Sequence, residues 1–370
     1  MSTRLPFFPP DLFEESRRAA YEIVRKVGLS ESQQFILGPA VARLEETIAQ
    51  ATGVRHVIAC ASGTGGLNLA VQALNIGPGD EVVVPAFCCQ PVASSVANRG
   101  ATPVFVDVDP WTMVIDPASV EAALGQRTVA IMPAHVFSVM ADMPAMRQIA
   151  ERHGVKVIED AAVAQGAVLD GTAAGRWGDL GVFSFFQVKA LGTIGEGGVV
   201  LTDDQELADR CRRQRNHGQT QRFVHTDIGQ NCRMDEITAQ FLLHRWPGLQ
   251  QRLERRADIA DYYTQRFTPL RDQGLLPPPS GRDGRCYYVY SVLTDQRDEL
   301  RKHLAAQSID THVYYPLPLP QQPAFARFSA GRRFPNAESA GRRNLALPIW
   351  PHMTDNEVER VANAVVEFYI

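Results

Sequence analysis

Lysine is scarce in this chain. Of its 37 basic residues only four are lysines, Lys26, Lys156, Lys189 and Lys302, and the rest are arginines. Arginine cannot lose its proton near neutral pH or form a Schiff base, so a lysine kept inside an apolar, glycine-rich segment points to use of its amine. Long apolar runs are also missing, and none reaches the roughly 18 residues of a membrane-spanning helix. Residues 1–12 have neither the charged start nor the apolar centre of a signal peptide. The formal net charge is −4 with no basic stripe, which argues against a nucleic-acid partner. The six cysteines, Cys60, Cys88, Cys89, Cys211, Cys232 and Cys286, form no CxxC pair, and no HExxH occurs. Neither a metal site nor a disulfide framework is expected, and the chain reads as reduced and cytoplasmic. Adjacent Cys88 and Cys89 read as two packed thiols rather than a redox pair. A Walker loop and a GxGxxG fingerprint are both absent, which disfavours ATP and NAD.

What is present fits an ordinary globular protein. The 370 residues, 45% hydrophobic and 21% charged, allow two domains and a large core. No internal repeat occurs. Apolar runs at 55–60, 81–85, 103–108, 129–132, 155–159 and 182–185 read as strands. Helical patterns at 39–52, 64–74 and 92–98 lie before and between the first of them. Buried strands separated by helices predict a mostly parallel sheet covered on both faces. The pattern changes near Asn231. A long helix over 234–254, bent near Pro247, leads into another over 255–267. Residues 275–279 read as a linker. Strands at 286–293 and 311–315 and helices at 299–307, 337–345 and 354–368 complete a smaller α/β unit.

The chemistry-bearing residues sit at strand ends. Ala61-Ser62-Gly63-Thr64-Gly65-Gly66 joins a strand to a helix, where free backbone N–H groups and the helix dipole can hold a phosphate. A plain helix cap by Ser62 or Thr64 explains the same residues equally well. Asp160 ends an apolar strand. Ser184 lies on the next, and Lys189 follows in a glycine-rich turn. In an open parallel sheet these groups face one crevice at the strands' carboxyl ends. An acid to hold a pyridinium proton, a serine for a phosphate and a lysine for a carbonyl are what a pyridoxal phosphate enzyme needs. On these residues alone a structural Lys–Asp pair is the simpler reading.

The ordered motifs reverse that balance. Phe35-Ile36-Leu37-Gly38-Pro39, Ala61-Ser62-Gly63-Thr64, Gly77-Pro78-Gly79-Asp80-Glu81-Val82, Pro103-Val104-Phe105-Val106-Asp107-Val108 and Glu159-Asp160-Ala161-Ala162 appear in turn. The Lys189 segment, Asn216-His217-Gly218-Gln219, Ile228-Gly229-Gln230-Asn231-Cys232-Arg233-Met234-Asp235-Glu236, Tyr314-Tyr315-Pro316 and Leu345-Ala346-Leu347-Pro348 follow. Over nearly its whole length the chain resembles the DegT/DnrJ/EryC1/StrS family of pyridoxal phosphate-dependent sugar aminotransferases.

The resemblance implies an α/β type I transferase fold of the aspartate aminotransferase kind. Residues 1–250 would form a large cofactor-binding domain with an N-terminal arm, and 251–370 a small C-terminal domain. Lys189 would carry pyridoxal phosphate and shuttle protons, and Asp160 would pair with the pyridine nitrogen. Ser62, Gly63, Thr64 and Ser184 would bind the phosphate. Asn231 would reach the phosphate of a neighbouring subunit's cofactor, making a homodimer with shared sites. The implied reaction moves an amino group from glutamate or glutamine to a keto sugar, nucleotide-linked and leaning to a 3-keto sugar, with pyridoxamine phosphate as the aminated cofactor. Alternatives are a keto-cyclitol aminotransferase, an atypical enzyme of the same family, or a cofactor-binding regulatory protein without turnover. A Lys-to-His change marks the family's dehydratase branch, and Lys189 argues against it.

Three positions depart from the family pattern. Val163 stands where a Gln or His contacts the cofactor's phenolic oxygen, Cys89 where an aromatic ring stacks on it, and Gly65 where Asp or Ala is usual. His217, Arg222, His225 and Tyr314 are candidates for substrate contact, with Arg233, His135 and Tyr315 behind them. Each has a plain alternative as a solvated or core residue.

Overall fold

A computed structural model describes residues 4–8, 16–137 and 139–370. Much of the 1–12 segment and of the expected N-terminal arm lies outside the described residues. Two helices, α1 (Arg17–Gly28) and α2 (Pro39–Thr52), precede strand β1 (His56–Cys60). Helix and strand then alternate through α3 (Gly63–Ala73), β2 (Glu81–Pro85), α4 (Pro91–Ala97), β3 (Thr102–Val106), α5 (Pro117–Ala123), β4 (Thr128–Ile131), α6 (Met143–His153) and β5 (Lys156–Asp160). A small hairpin, β6 (Val168–Leu169) with β7 (Thr172–Ala173), leads to β8 (Leu180–Ser184) and β9 (Gly198–Thr202).

Seven of these strands form one sheet in the order β1-β9-β8-β5-β4-β2-β3. Neighbours from β8 across to β3 pair parallel, and β9 alone runs antiparallel, to β1 on one side and β8 on the other. Val57, Ile58, Val82, Val83, Val84, Ile131, Ile158, Val182 and Val200 are all buried, as expected where helices cover both faces. The parallel strands end on one edge, which brings Cys60, Asp160 and Ser184 near one another at the head of the sheet.

Next come α7 (Gln205–Gln214), the hairpin β10 (Gln219–Gln221) with β11 (Val224–His225), and α8 (Glu236–Arg245). Pro247 lacks the N–H a helix needs, and a short 3-10 turn, Trp246–Gly248, separates α8 from α9 (Leu249–Phe267). The bend falls where the sequence places it, but α9 then runs unbroken through 254–255. The remaining elements are β12 (Leu275–Leu276), β13 (Tyr290–Thr294), α10 (Arg297–Ala306), α11 (Ala326–Ser329), α12 (Pro335–Arg343), β14 (Asn344–Leu347) and α13 (Asp355–Tyr369). The three strands make an antiparallel sheet packed under α9, α10 and α13, with Tyr263, Tyr290, Leu300 and Val361 at the centre of a second core. Among the described residues, no helix is long and apolar enough to cross a membrane.

Several local expectations need correction. Strand β9 was not anticipated, because its glycine-rich approach masks a buried Val-Val-Leu run. The first two residues of the supposed linker, Leu275 and Leu276, pair with Thr294 and Leu293 as an edge strand. The helix expected over 337–345 stops at Arg343, where the Asn344 side chain donates to the Ala340 carbonyl at 2.6 Å, and 344–347 turns into β14. Residues 311–315 make only a bridge between His312 and Ala346. The next ladder position is lost because the Tyr314 N–H donates to the Asn344 side chain instead, at 2.9 Å. The strand expected over 286–293 begins only at Tyr290. Residues 286–289 take an irregular path that starts with a Tyr288 N–H to Cys286 carbonyl bond of 2.6 Å.

Candidate active site

A cavity of about 540 Å³ opens at the carboxyl edge of the sheet, and three of the loops that line it carry its chemistry. The first follows β1. Ser62 caps α3, its Oγ accepting the Gly65 N–H at 3.0 Å. The helix's first N–H groups, at Gly63 and Thr64, have no acceptor one turn back, and both residues line the cavity. A Cβ on Gly63 would lie 2.6 Å from Cβ of Ser184, so only glycine lets this turn press against the end of β8. A Cβ on Gly65 would lie 2.5 Å from Sγ of Cys232, which fills the space that a larger residue would need.

The second loop follows β5. Asp160 is buried, and Oδ1 accepts the Ala162 N–H at 3.1 Å. Its backbone is held on both sides, its N–H by the Pro133 carbonyl at 2.9 Å and its carbonyl by the His135 N–H at 3.0 Å. The third loop follows β8 and carries Lys189. Its ends are tied by Phe185 N–H to the Gly197 carbonyl at 2.7 Å and by Thr193 N–H to the Phe185 carbonyl at 2.8 Å. The Lys189 N–H donates to the Phe186 carbonyl at 2.8 Å, making a tight turn that aims the amine inward. Nζ stands 4.4 Å from the centre of the Tyr288 ring, a cation–π distance.

Burial dominates the electrostatics. It pushes the Lys189 amine below its usual value, while Cys89 and Asp160 pull it back up. It pushes the Asp160 carboxyl above its usual value, against the Ala162 N–H and Lys189. Each group's charged form therefore lacks solvent, and each favours a partner of opposite charge. Burial, together with the neighbouring Asp160, also raises the Cys89 thiol.

Of the residues singled out in the sequence, Gly63, Thr64, Cys89, Asp160, Val163, Ser184, Lys189 and Tyr314 line this cavity, with His135 and Tyr315. Val163 contributes only apolar surface. Both ring nitrogens of His135 are bonded within the protein, Nε2 to Glu159 Oε1 at 2.8 Å and Nδ1 accepting the Ala141 N–H at 3.1 Å, so it is a satisfied buried histidine. Ser62 stays behind the wall as the cap of α3.

Asn231, His217, Arg222, His225 and Arg233 do not reach the cavity of their own chain. They lie on or beside the β10–β11 arm. Arg233 Nε donates to the Asn231 side-chain oxygen at 3.0 Å, and His225 Nδ1 lies 2.8 Å from the His217 carbonyl. Arg222 lies over Phe223 at 5.0 Å. The neck of the arm is tight enough that a Cβ on Gly218 would lie 1.8 Å from the Asp227 carbonyl. Phe223 and Ile228 on the arm are 77% and 83% exposed, which is unusual for large apolar side chains.

Sequence reasoning missed Tyr288, Phe8 and Glu196, all on the cavity wall. Phe8 stacks toward Tyr288 with ring centres 6.4 Å apart. The adjacent Tyr287-Tyr288 pair was a signal, but an expected regular strand hid it.

The donor set fits pyridoxal phosphate on structural grounds. A buried carboxyl and a desolvated lysine share one cavity with the free N–H groups of an 11-residue helix and the Thr64 and Ser184 hydroxyls. The bare Gly63 lets Ser184 sit directly beside that helix end.

The DegT/DnrJ/EryC1/StrS aminotransferase family pattern matches residues 18–366. The chain is 42% identical to a pleiotropic regulatory protein of Geobacillus stearothermophilus over 97% of each chain. It is 40% identical to a UDP-N-acetyl-3-dehydro-alpha-D-glucosamine 3-aminotransferase of Acidithiobacillus ferrooxidans over 93% of each. The solved structure of DesV from S. venezuelae, in complex with a ketimine intermediate, superposes with a TM-score of 0.94 at 37% identity, covering 100% of this chain and 99% of that one.

Proposed function

The chain belongs to the DegT/DnrJ/EryC1/StrS aminotransferase family, and from that premise we propose that it aminates the keto carbon of a nucleotide-linked sugar, with a 3-keto sugar the first candidate. It is a pyridoxal phosphate-dependent aminotransferase. The observation that carries the reading is the meeting of Lys189, Asp160 and the open N-terminus of α3 in one cavity.

Bound there, pyridoxal phosphate supplies an electron sink for the charge left when a proton leaves the amine-bearing carbon. Lys189 would anchor it covalently. Once freed, its amine, lowered by burial, would take that proton and return it. The Asp160 carboxylate would accept the ring N–H and favour its protonated form, which in turn relieves the burial of an unpaired carboxyl. The Gly63 and Thr64 N–H groups, with the Thr64 and Ser184 hydroxyls, would hold the phosphate against the helix dipole. Tyr288 would provide a face for the lysine's charge.

The exposed arm supports a homodimer in which Asn231, and with it His217, Arg222 and His225, serves the neighbouring subunit's site. Tyr314 is the substrate-contact candidate on the chain's own cavity wall. Glutamate or glutamine would be the amino donor. The six unbonded thiols suit the reducing cytoplasm. The name of the Geobacillus relative, a pleiotropic regulatory protein, keeps a second reading in view, a cofactor-binding regulator without turnover, which the sugar aminotransferases among the relatives do not favour. Retention of both Lys189 and Asp160 weighs against it.

Absorbance decides between them. The purified holoprotein should be yellow, bleach on adding glutamate, and regain colour with a nucleotide-linked 3-keto sugar. A yellow protein inert to every amino donor would support the regulator instead.

A further inference from the structure

Glu159 is fully buried, one residue before Asp160. Its carboxylate is saturated from three directions. Oε1 accepts from His135 Nε2 at 2.8 Å and from the Gly175 N–H at 2.6 Å, and Oε2 accepts the Trp177 N–H at 2.9 Å. His135 is also buried. Because its Nδ1 accepts the Ala141 N–H, its proton resides on Nε2 and the ring is neutral. The same residue's backbone N–H donates to the Asp160 carbonyl at 3.0 Å, next to the Pro133 carbonyl that takes the Asp160 N–H. Glu159, His135 and Asp160 thus close a ring of bonds between β5 and the segment after β4.

We infer that Glu159 and His135 are positioning residues, a buried pair that fixes the backbone and direction of the Asp160 carboxylate from behind the cavity wall. A purely structural role does not account for the choice of groups. Placing an ionisable carboxyl in a dry core is unfavourable, and well-packed apolar residues usually stabilise at least as well as a buried ionic pair. What the polar pair adds is direction. It joins the residue next to Asp160 to the segment that brackets Asp160, and through Gly175 and Trp177 to the approach to β8. His135 contributes a fixed donor rather than an acid or base, since neither of its nitrogens is free to meet a substrate.

The inference rests on the aminotransferase reading, and one set of measurements on holoenzyme reconstituted with 15N-labelled pyridoxal phosphate separates the two. Glu159→Gln keeps the shape but turns one acceptor into a donor facing donors. His135→Gln keeps a donor toward Glu159, while its amide oxygen no longer stands at the Nδ1 position that accepts the Ala141 N–H. Displacing Asp160 should weaken its hold on the ring nitrogen. In Glu159→Gln the ring-nitrogen resonance should move toward its unprotonated position. The kcat should fall about 10- to 100-fold with the KM for the amino donor within about twofold. His135→Gln should show the same two changes to a smaller degree. If Glu159→Gln fails to fold, His135→Gln against the unmodified enzyme still reads the shift. Variants that bind cofactor fully and keep the resonance and kcat of the unmodified enzyme, whatever their melting temperature, would overturn the inference. An unmodified protein that takes up no cofactor would instead overturn the aminotransferase reading.

Discussion

Gly65→Ala tests whether the first turn of α3 is shaped by Cys232. The added methyl would lie 2.5 Å from Cys232 Sγ and 3.3 Å from Ser62 Oγ. Ordinary heavy-atom contacts lie at about 3.5–4.0 Å, so the first distance is about 1 Å too short. Cys232 is buried, so moving its thiol aside must displace packed neighbours. Overpacking of this size destabilises by about 1–3 kcal/mol. Alanine's better helix propensity offsets up to about 1 kcal/mol of that. The net expectation is a loss of about 1–2 kcal/mol. In a Cys232→Ala background the obstruction is gone, and only the propensity gain of up to about 1 kcal/mol should remain. The sign of the Gly65→Ala effect should therefore reverse between backgrounds, a coupling of about 1–3 kcal/mol. Chemical denaturation at fixed protein and cofactor concentration measures it, because cofactor binding itself shifts apparent stability. The clash should also tilt the Gly63 and Thr64 donors, so Gly65→Ala alone should lose more cofactor on dialysis than the double variant. Equal effects of Gly65→Ala in both backgrounds would refute the argument.

The remaining predictions concern the site directly. Borohydride reduction of the holoenzyme and peptide mapping should place the pyridoxyl group on Lys189, and label on Lys156 or Lys302 would contradict the assignment. Asp160→Asn should fold and retain cofactor yet turn over about 10³-fold more slowly, the loss expected from ~4 kcal/mol of transition-state interaction; a near-normal rate would remove Asp160 from the chemistry. Inactive Lys189→Ala and Asn231→Ala subunits, mixed and exchanged, should regain activity if Asn231 serves a neighbouring site, whereas verified exchange without recovery would mean a site built within one chain.

The parts of this molecule that were legible in its sequence are those with local causes. Asp160 and Ser184 end buried strands, and Lys189 follows one, so sheet geometry alone predicts their convergence. The turn at Pro247 and the cap by Ser62 follow from single residues. What stayed hidden depends on distant partners. Tyr288 faces the cavity because residues 286–289 leave the strand path, which no periodicity reveals. The 311–315 strand failed because one side chain, Asn344, takes a backbone donor. Glu159 appeared only as part of a motif, and its importance emerges when Gly175, Trp177 and His135 are seen around it. Cys232 and Gly65 are 167 positions apart, and their complementarity is visible only in three dimensions.

Strand β9 reverses direction beside β8, so Ser184 and Gly198 face each other across the pairing and the Lys189 segment closes on itself between them. A helical crossover would have sent the chain to the far edge and made this region depend on long-range closure. Here the main-chain ties at its base, Phe185 to Gly197 and Thr193 to Phe185, join residues close in sequence, and closing them costs less entropy than a long-range pairing would. The Lys189 turn is thus fastened first by its two flanking strands, with Arg245 of α8 donating to the Gly192 carbonyl at 2.6 Å as a more distant tie. Pyridoxal phosphate arriving later would meet an amine already presented, and its binding energy need not be spent organising the segment that holds it.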